Sequence, residues 1–507
     1  MPQGLFPIKY ESEPTQTGMT ALAGLPVYLE LLHAMRFPEA IDKHLSIRSN
    51  GQGWTDRDIL LSLMMLNLAG GDCVDDMRLL EADQGFCKAL EQTRFYALSR
   101  KERRTLEQRW RKKRQASFPS ASSLFRYLNA FHQGDWDTKQ VYGKAWIPDD
   151  PGRLVGFSKL NATMLAFAQQ NKPQSEATLD MDATLIETNK SQALCCYKHF
   201  KAYQPMNVWW AEHEMMVHTE FRAGNVPAGF DQLRILKESL ALLPEGIKSV
   251  RLRSDTAGYQ GDLLRYCAQG LNERFGRIEF IVGCPVDNTL KQAVACVPES
   301  AWRPLERIVD GRKQVTGKEW AEVWHVTDIA GTQKKSEPFR YLVTREPLKE
   351  QAMLPGMEKE PEYSFPTQTM AGRKYKVRAF VTNMTWEGGD LIRWAYKRCG
   401  KSEHAHSTLK EELAGGKLPS GRFGANAAWW WVSILAFNLN AIMKRYVLEK
   451  GWEHKKMKAI RFHLIAIPGR MILHARQLLI RLSKGHPSMG LLLGIRRRLA
   501  EMQPAPS

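Results

Sequence analysis

The chain lacks the cysteine pattern that disulfide frameworks and structural zinc sites require. Its 507 residues include eight cysteines. None of them form a Cys-x-x-Cys pair, and the closest two are the adjacent Cys195 and Cys196. Because both kinds of site depend on regularly spaced cysteines, they have little support, and a reduced, cytoplasmic environment is expected.

Long apolar runs are also missing. Residues 1–9 contain no apolar stretch of the kind that a secretion signal needs. The most apolar segment, 427–442, is too short to cross a bilayer, and Asn438 and Asn440 interrupt its end. The sequence therefore predicts a soluble protein without a membrane partner.

Acidic residues are outnumbered by basic ones. The 72 Lys and Arg against 54 Asp and Glu give a formal net charge of +18. A polyanion is the expected partner of such a chain, although a solvated basic surface is the alternative. The basic residues are densest in 100–114, and the candidates there for contact with nucleic-acid phosphates are Arg109, Arg111, Lys112, Lys113 and Arg114.

The pattern along the chain predicts several regions of different character. Residues 1–20 are expected to be disordered, 21–150 to form a helical domain, and 133–153 to contain a loop. Alternating strand and helix patterns over 172–298 indicate an α/β layer, with strands at 177–186, 208–222, 248–254 and 278–283. Residues 299–385 are β-rich, the helix-rich segment 386–450 follows, and 451–507 is predicted to be helical and basic.

Three carboxylates stand in settings that suggest chemistry. Asp182 and Asp255 each follow an apolar, strand-like run, and Glu403 lies in a helix-like segment. Two strand-end acids and one helical acid can converge on a pair of divalent metal ions that promotes phosphodiester displacement. Asp180 and Asp182 share one face of their strand, so spacing alone does not say which is the ligand. A solvent-facing acid or, for Asp255, a helix N-cap is the plainer alternative.

These motifs, in this order, resemble those of DDE transposases with an RNase H-like core. More narrowly, the chain is similar to the bacterial insertion-sequence family thirteen-eighty, in the group with a Tyr-Arg-Glu-Lys signature. The resemblance extends over roughly residues 20–490. It rests on Leu-Asp-Met-Asp-Ala-Thr-Leu-Ile-Glu-Thr (179–188), Glu-Phe-Arg-Ala-Gly-Asn (220–225), Arg-Ser-Asp-Thr-Ala-Gly-Tyr (253–259) and the series Tyr396, Glu403, Lys410.

The resemblance implies a fold and an activity. The expected fold is an α/β RNase H-like catalytic core with a β-rich insertion domain, preceded by a helical DNA-binding domain and followed by a helical C-terminal tail. Asp182, which is followed by Thr184, would then hold two Mg²⁺ or Mn²⁺ ions together with Asp255 and Glu403. The expected partners are double-stranded DNA, as terminal inverted repeats and target, and a second copy of the chain in a homodimer. The expected location is the bacterial cytoplasm, at the nucleoid.

The signature also implies DNA contacts near the acids. A spacing of seven keeps Tyr396, Glu403 and Lys410 near one face of a continuous helix. The signature Arg would fall at Cys399, but this chain has Arg398, about 140° around a helix from Glu403. A kink at Gly400 would restore the reach of that Arg. Arg222 and Asn225 are expected near the active site by the same resemblance.

Several alternatives remain open from the sequence. His404 and His406 are interpreted as polar residues facing the DNA groove rather than as zinc ligands. Trp302, Trp320 and Trp324 are each either core residues or a platform for an unpaired base. The activity could also be that of an RNase H-like nuclease without strand transfer, or the chain could be an inactive DNA-binding descendant of a transposase.

Overall fold

The N-terminal third is helical, as predicted. The computed structural model describes residues 18–48, 51–96, 98–141, 143–309, 311–325, 339–348, 363–475 and 477–502. Thr55 caps the start of α3 (Asp56–Ala69), because its hydroxyl accepts the Asp58 N–H while the Asp58 carboxylate accepts the Thr55 N–H. The helices are α1 (Pro26–Ala34), α2 (Phe37–His44), α3 (Asp56–Ala69), α4 (Met77–Ala82), α5 (Gln84–Arg94), α6 (Arg100–Gln108), α7 (Ala121–Asn129), α8 (Trp136–Lys139) and α9 (Val155–Asn171).

A large mixed sheet forms the centre of the molecule. Its first strands are β2 (Glu176–Ala183), β6 (Met206–Trp210), β7 (Met215–Glu220), β8 (Ser249–Ser254) and β9 (Glu279–Cys284). Strands β2, β6 and β7 are antiparallel neighbours, whereas β8 lies parallel to both β2 and β9. Parallel strands need crossovers, which α10 (Gln232–Leu242) and α11 (Gly261–Ala268) supply.

The predicted β-rich segment continues this same sheet. Its strands are β10 (Arg303–Val309), β11 (Arg312–Val323), β12 (Arg340–Pro347), β13 (Thr367–Met370) and β14 (Arg373–Thr382), reached through α12 (Asn288–Ala295). Strand β14 pairs with β9, so the strand order is β10-β11-β12-β14-β9-β8-β2-β6-β7, with β13 beside β14. The β-rich segment therefore extends the α/β layer instead of forming a second sheet.

One buried helix joins the N-terminal helices to the sheet. This helix is α15 (Phe423–Ile442), and all its residues are buried. Two shorter helices, α13 (Gly388–Tyr396) and α14 (Lys401–Ser407), precede it. The asparagines that interrupt its apolar run bond inside the protein: Asn438 binds both the N–H and the carbonyl of Met216, and Asn440 accepts from Tyr28. No helix among the described residues combines the length and apolar character needed to span a bilayer.

The predictions for the segment 208–222 and for the C-terminal region are wrong. The segment 208–222 is the hairpin β6–β7 rather than one strand, since Glu214 turns the chain with a φ of 53°. The C-terminal region is only partly helical: α16 (Met457–Ile460) and α17 (Ser488–Glu501) flank a hairpin of β15 (Gly469–His474) and β16 (Gln477–Arg481). Strand β1 (Met19–Thr20) pairs with β15, so a distant partner stabilises that hairpin.

The remaining short strands lie near the end of β2. They are β3 (Ile186–Glu187), β4 (Leu194–Cys195) and β5 (Lys201–Tyr203), which form a small sheet in the order β3-β5-β4. The prediction of disorder for residues 1–20 falls mostly on 1–17, which lie outside the described residues; Met19 and Thr20 form β1.

Candidate active site

Two of the predicted acids meet at one edge of the sheet. Met181 of β2 pairs with Ser254 of β8 in a parallel register. Asp182 and Asp255 are the residues that follow this pair, one on each strand. The carboxyl ends of parallel strands lie side by side, so both side chains reach the same place. They line a cavity of about 1280 Å³. The structure therefore brings these two predicted site residues together at one sheet edge.

The carboxylate of Asp182 faces a guanidinium. One terminal nitrogen of Arg398 lies 3.3 Å from Asp182 Oδ2, and both side chains are largely buried. Burial raises the pKa of Asp182, and the positive charge of Arg398 opposes that rise. Arg398 thus places a positive charge beside the largely buried carboxyl group of Asp182.

Asp255 has a structural role as well as a position in the cavity. Its Oδ1 accepts the N–H of Ala257 at 3.0 Å, which caps the short helical turn at Thr256–Gly258. Burial raises the pKa of Asp255, Arg398 lowers it, and the nearby Asp182 raises it again. The plainer interpretation as an N-cap is therefore correct in part, while the coupling to Asp182 places Asp255 in the same acidic pair.

The carboxylate of Asp180 pairs with a buried arginine instead of lining the cavity. It is 1% exposed and receives two hydrogen bonds from Arg253, at 2.6 Å to Oδ1 and 2.8 Å to Oδ2. Arg253 also donates to the carbonyl of Trp394 in α13. Because its oxygens are used by Arg253, Asp180 is the poorer candidate for a ligand, and the arrangement favours Asp182.

The helix-like segment around Glu403 is not one continuous helix. Helix α13 ends at Tyr396, Gly400 has a φ of 84°, and α14 begins at Lys401. That φ is easily adopted by glycine and strained for other residues. The break releases Arg398 from helical geometry and carries it to Asp182, so a distortion at Gly400 does restore the reach of this side chain.

The other signature residues line the same cavity. Glu403 is exposed on its wall, and Tyr396 and Lys410 are half-buried there. Lys410 Nζ donates to the Leu185 carbonyl at 3.2 Å, directly after β2. The Tyr396 hydroxyl lies 3.4 Å from Thr344 Oγ1. The structure thus brings these side chains around the acidic pair through a broken helix rather than through one straight face.

The three acids are not drawn together into a ready metal site. Across the residues that the structure describes, no three His, Cys, Asp or Glu side chains form a group able to hold a metal ion. Asp182 is instead neutralised by Arg398. The donor chemistry nonetheless fits Mg²⁺ or Mn²⁺, which prefer carboxylate oxygens, because two adjacent acids and Glu403 line one cavity.

A polar chain behind the acids was not predicted from the sequence. Asn207 lies opposite Asp182 on β6, and its side-chain nitrogen lies 3.1 Å from His406 Nε2. Thr219 donates to the other end of the Asn207 amide at 2.6 Å. Burial lowers the pKa of His406 to about 3, with Lys410 and Arg398 adding to the effect, so this imidazole is neutral at neutral pH. The available signal was the position of Asn207 directly before the predicted strand 208–222.

The two residues predicted from the segment 220–225 differ in their exposure. Arg222 is 1% exposed and donates to Glu220 at 2.7 Å and to the Phe230 carbonyl at 2.9 Å. Its predicted DNA contact is therefore wrong for this structure, in which Arg222 fixes the turn after β7. Asn225 does line the cavity, although its amide already donates to the Lys144 carbonyl at 2.8 Å.

The basic run divides into tethered and exposed residues. Arg109 donates to the Gly53 carbonyl at 3.1 Å, and the Arg114 guanidinium lies over the Trp54 and Trp110 rings. Of the five candidates in this run, the exposed ones are Arg111, Lys112 and Lys113. These three are therefore the better placed for contact with a polyanion.

The three tryptophans of the β-rich segment have different environments. Trp302 and Trp320 are 7% and 6% exposed, and they belong to the core. Trp324 is 81% exposed. The core interpretation is confirmed for the first two, and a stacking role for Trp324 stays a prediction.

Comparison with known proteins identifies one family. The family model described as "Transposase DDE domain group 1" matches residues 14–354 and 367–504. No curated protein matches the chain. A solved structure of a piggyBac transposase synaptic complex with hairpin DNA is 12% identical, covers 89% of this chain and 82% of that chain, and has a TM-score of 0.42.

Proposed function

This chain belongs to the family of transposases with a group 1 DDE domain, and we propose that it cuts DNA at the ends of an insertion sequence and joins the freed 3′-OH to target DNA. The observation that carries the proposal is the pair Asp182 and Asp255 at one sheet edge, with Glu403 on the wall of the same cavity. Three antiparallel strands followed by two parallel ones support an RNase H-like core, and the proposed subfamily is insertion-sequence family thirteen-eighty.

We further propose that Asp182, Asp255 and Glu403 hold two Mg²⁺ or Mn²⁺ ions. Such a pair of ions supplies activation of the attacking oxygen and stabilisation of the leaving oxygen. Lys410 and Tyr396 would contact phosphates of the bound strand beside the acids. The contact between Asn207 and the neutral His406 would position α14, the helix that carries Glu403. The working protein is proposed to be a homodimer in the bacterial cytoplasm.

Arg398 would have to leave the acids when divalent cations enter. A guanidinium 3.3 Å from Asp182 competes for the same oxygens, and the freed side chain would then be available for a DNA phosphate. We expect Arg398→Gln to bind Mn²⁺ about tenfold more tightly than the wild-type chain in the absence of DNA, because one competing charge is removed. Electron paramagnetic resonance of free Mn²⁺ measures this affinity without any activity assay.

The matched control for this experiment is Lys397→Gln. Lys397 is the exposed neighbour of Arg398, so its substitution changes the charge equally without touching the acids. Its Mn²⁺ affinity should equal that of the wild-type chain. Equal affinities for Arg398→Gln and Lys397→Gln would show that Arg398 does not occupy the metal position.

The exposed basic run is expected to bind the DNA backbone. Replacing Arg111, Lys112 and Lys113 together by Gln should reduce the slope of log affinity against log salt by about 0.9 for each phosphate that is no longer bound. Duplex binding in EDTA at several salt concentrations measures that slope. A slope identical to that of the wild-type chain would assign this run to a solvated face.

The strand-transfer step separates this proposal from the nuclease alternative. A nuclease without strand transfer would leave cut ends that never become covalently joined to a second DNA. A joining assay with labelled element ends distinguishes the two, and the proposal expects joined products that require the 3′-OH.

A further inference from the structure

A second cavity lies behind the helix that carries Glu403. Its volume is about 230 Å³. Lys401, His404 and Ala405 of α14 line it, whereas Glu403 and His406 of the same helix line the acidic cavity. Helix α14 is therefore a wall shared by the two cavities. A ligand in the second cavity would lie roughly one helix diameter, about 10–12 Å, from the acidic pair.

The second cavity is strongly positive. Two carboxylates, Glu214 and Glu453, face five Lys and Arg side chains there, which leaves three more positive than negative side chains among these seven. The five cations are Lys401, Lys444, Arg445, Lys455 and Lys456. Cations gathered around a concave surface attract anions more strongly than the same charges would on an open one.

The acids inside the cavity do not neutralise most of these cations. Glu214 is shared, at 3.1 Å from Lys401 Nζ and 2.9 Å from a terminal nitrogen of Arg445. Glu453 accepts the backbone N–H of Gly451. Within the described part of the chain, Lys444, Lys455 and Lys456 form no ion pair.

The position of Lys444 also favours an anion. Its Nζ donates to the neutral carbonyl of Lys455 at 2.8 Å, and the side chain is half-buried. Burial lowers the pKa of Lys444, while the more distant Glu214, Glu412 and Glu453 oppose that change. An anion beside this ammonium would offset the cost of its burial.

The walls and the rim of the cavity differ in character. Trp209 and Phe437 form an apolar wall, with ring centroids 5.6 Å apart, and Met457 adds to it. The exposed Lys455 and Lys456 stand at the rim. A phosphodiester between two sugars matches these two features. Its negative charge would face the lysines, and the less polar sugars would lie against the apolar wall.

We propose that this basic cavity binds a backbone phosphate of the DNA strand that enters the acidic cavity. The inference rests on the proposed function, and it identifies a contact that lies beyond the signature residues. The separation of about 10–12 Å corresponds to about three nucleotides at 3.4 Å of axial rise each. Since α14 forms the shared wall, a phosphate held by Lys401 and Lys444 would also steady the helix that presents Glu403.

The first test substitutes the rim of the cavity. Lys455→Gln/Lys456→Gln should reduce the salt slope of duplex binding in EDTA by about 0.9 for each phosphate that is no longer bound, hence by up to about 1.8. The matched control is Lys248→Gln/Lys484→Gln, which removes two charges from exposed positions that line neither cavity. The control should keep the wild-type slope. Equal slopes for the two double variants would overturn the proposal.

The second test uses inorganic phosphate and Lys444→Gln. Phosphate should raise the thermal midpoint of the wild-type chain and raise that of Lys444→Gln clearly less. Stabilisation by phosphate with no change in the salt slope of the rim variant would assign the cavity to a free anion and overturn the DNA contact. If the wild-type chain shows no salt-dependent duplex binding at all, the proposed function itself fails, which is a different result.

Discussion

Asp182→Asn is expected to reduce DNA cleavage by at least about a hundredfold to a thousandfold, the scale on which removal of a principal electrostatic stabiliser acts. Asp255→Asn and Glu403→Gln should have the same effect. The physical reason is that each substitution removes one anionic oxygen donor from a site in which hard cations need several. Duplex binding in EDTA should stay near the wild-type value, because none of the three residues is a cation that contacts phosphate.

A control on the same wall tests the choice of the third acid. Glu411 also lines the acidic cavity, but its carboxylate accepts a hydrogen bond from Ser407 at 3.0 Å. Glu411→Gln should therefore retain cleavage within about tenfold, on the scale of an outer contact to a metal ligand. Retained cleavage in Glu403→Gln together with abolished cleavage in Glu411→Gln would assign the third position to Glu411.

Asp180→Ala is expected to lower the free energy of unfolding by about 3–5 kcal/mol, because it leaves the buried charge of Arg253 without its carboxylate partner. Arg253 is 3% exposed and joins β2, β8 and the end of α13 through its bonds to Asp180 and Trp394. Unfolding in urea, followed by tryptophan fluorescence, measures the change.

The matched control is Glu176→Ala on the same two strands. Glu176 pairs with Arg251 at 2.9 Å, but its side chain is 48% exposed. Exposed ion pairs contribute about 0–1 kcal/mol, so this substitution should have a small effect. Similar decreases in stability from the two substitutions would show that the Asp180 pair is not a buried anchor of the acidic edge.

The sequence was sufficient for the features that depend on local pattern. Apolar runs that end in an acid predicted strands close to β2 and β8, and the position of Asp182 and Asp255 at strand ends suggested that the two acids could converge. The helices between the strands followed from their own periodicity. These features need no knowledge of distant partners, which explains why they could be found without the structure.

The features that the sequence did not reveal depend on partners far along the chain. The hairpin β15–β16 is paired with β1, more than 400 residues away, and local periodicity alone indicated a helix. The motif 220–225 suggested that Arg222 would contact DNA near the active site. The fold instead buries Arg222 against Glu220 and Phe230. The break at Gly400 was visible as a glycine, whereas the destination of Arg398 at Asp182 required the positions of both strands.

The central claim is metal-dependent cleavage and joining by the acidic pair and Glu403. It is tested most directly by incubating the wild-type chain and Asp182→Asn with labelled element-end DNA and target DNA, with Mg²⁺ or with EDTA. We expect joined products from the wild-type chain in Mg²⁺ alone, and none from Asp182→Asn at equal duplex binding. Joined products of equal yield from Asp182→Asn, or from the wild-type chain in EDTA, would contradict this claim.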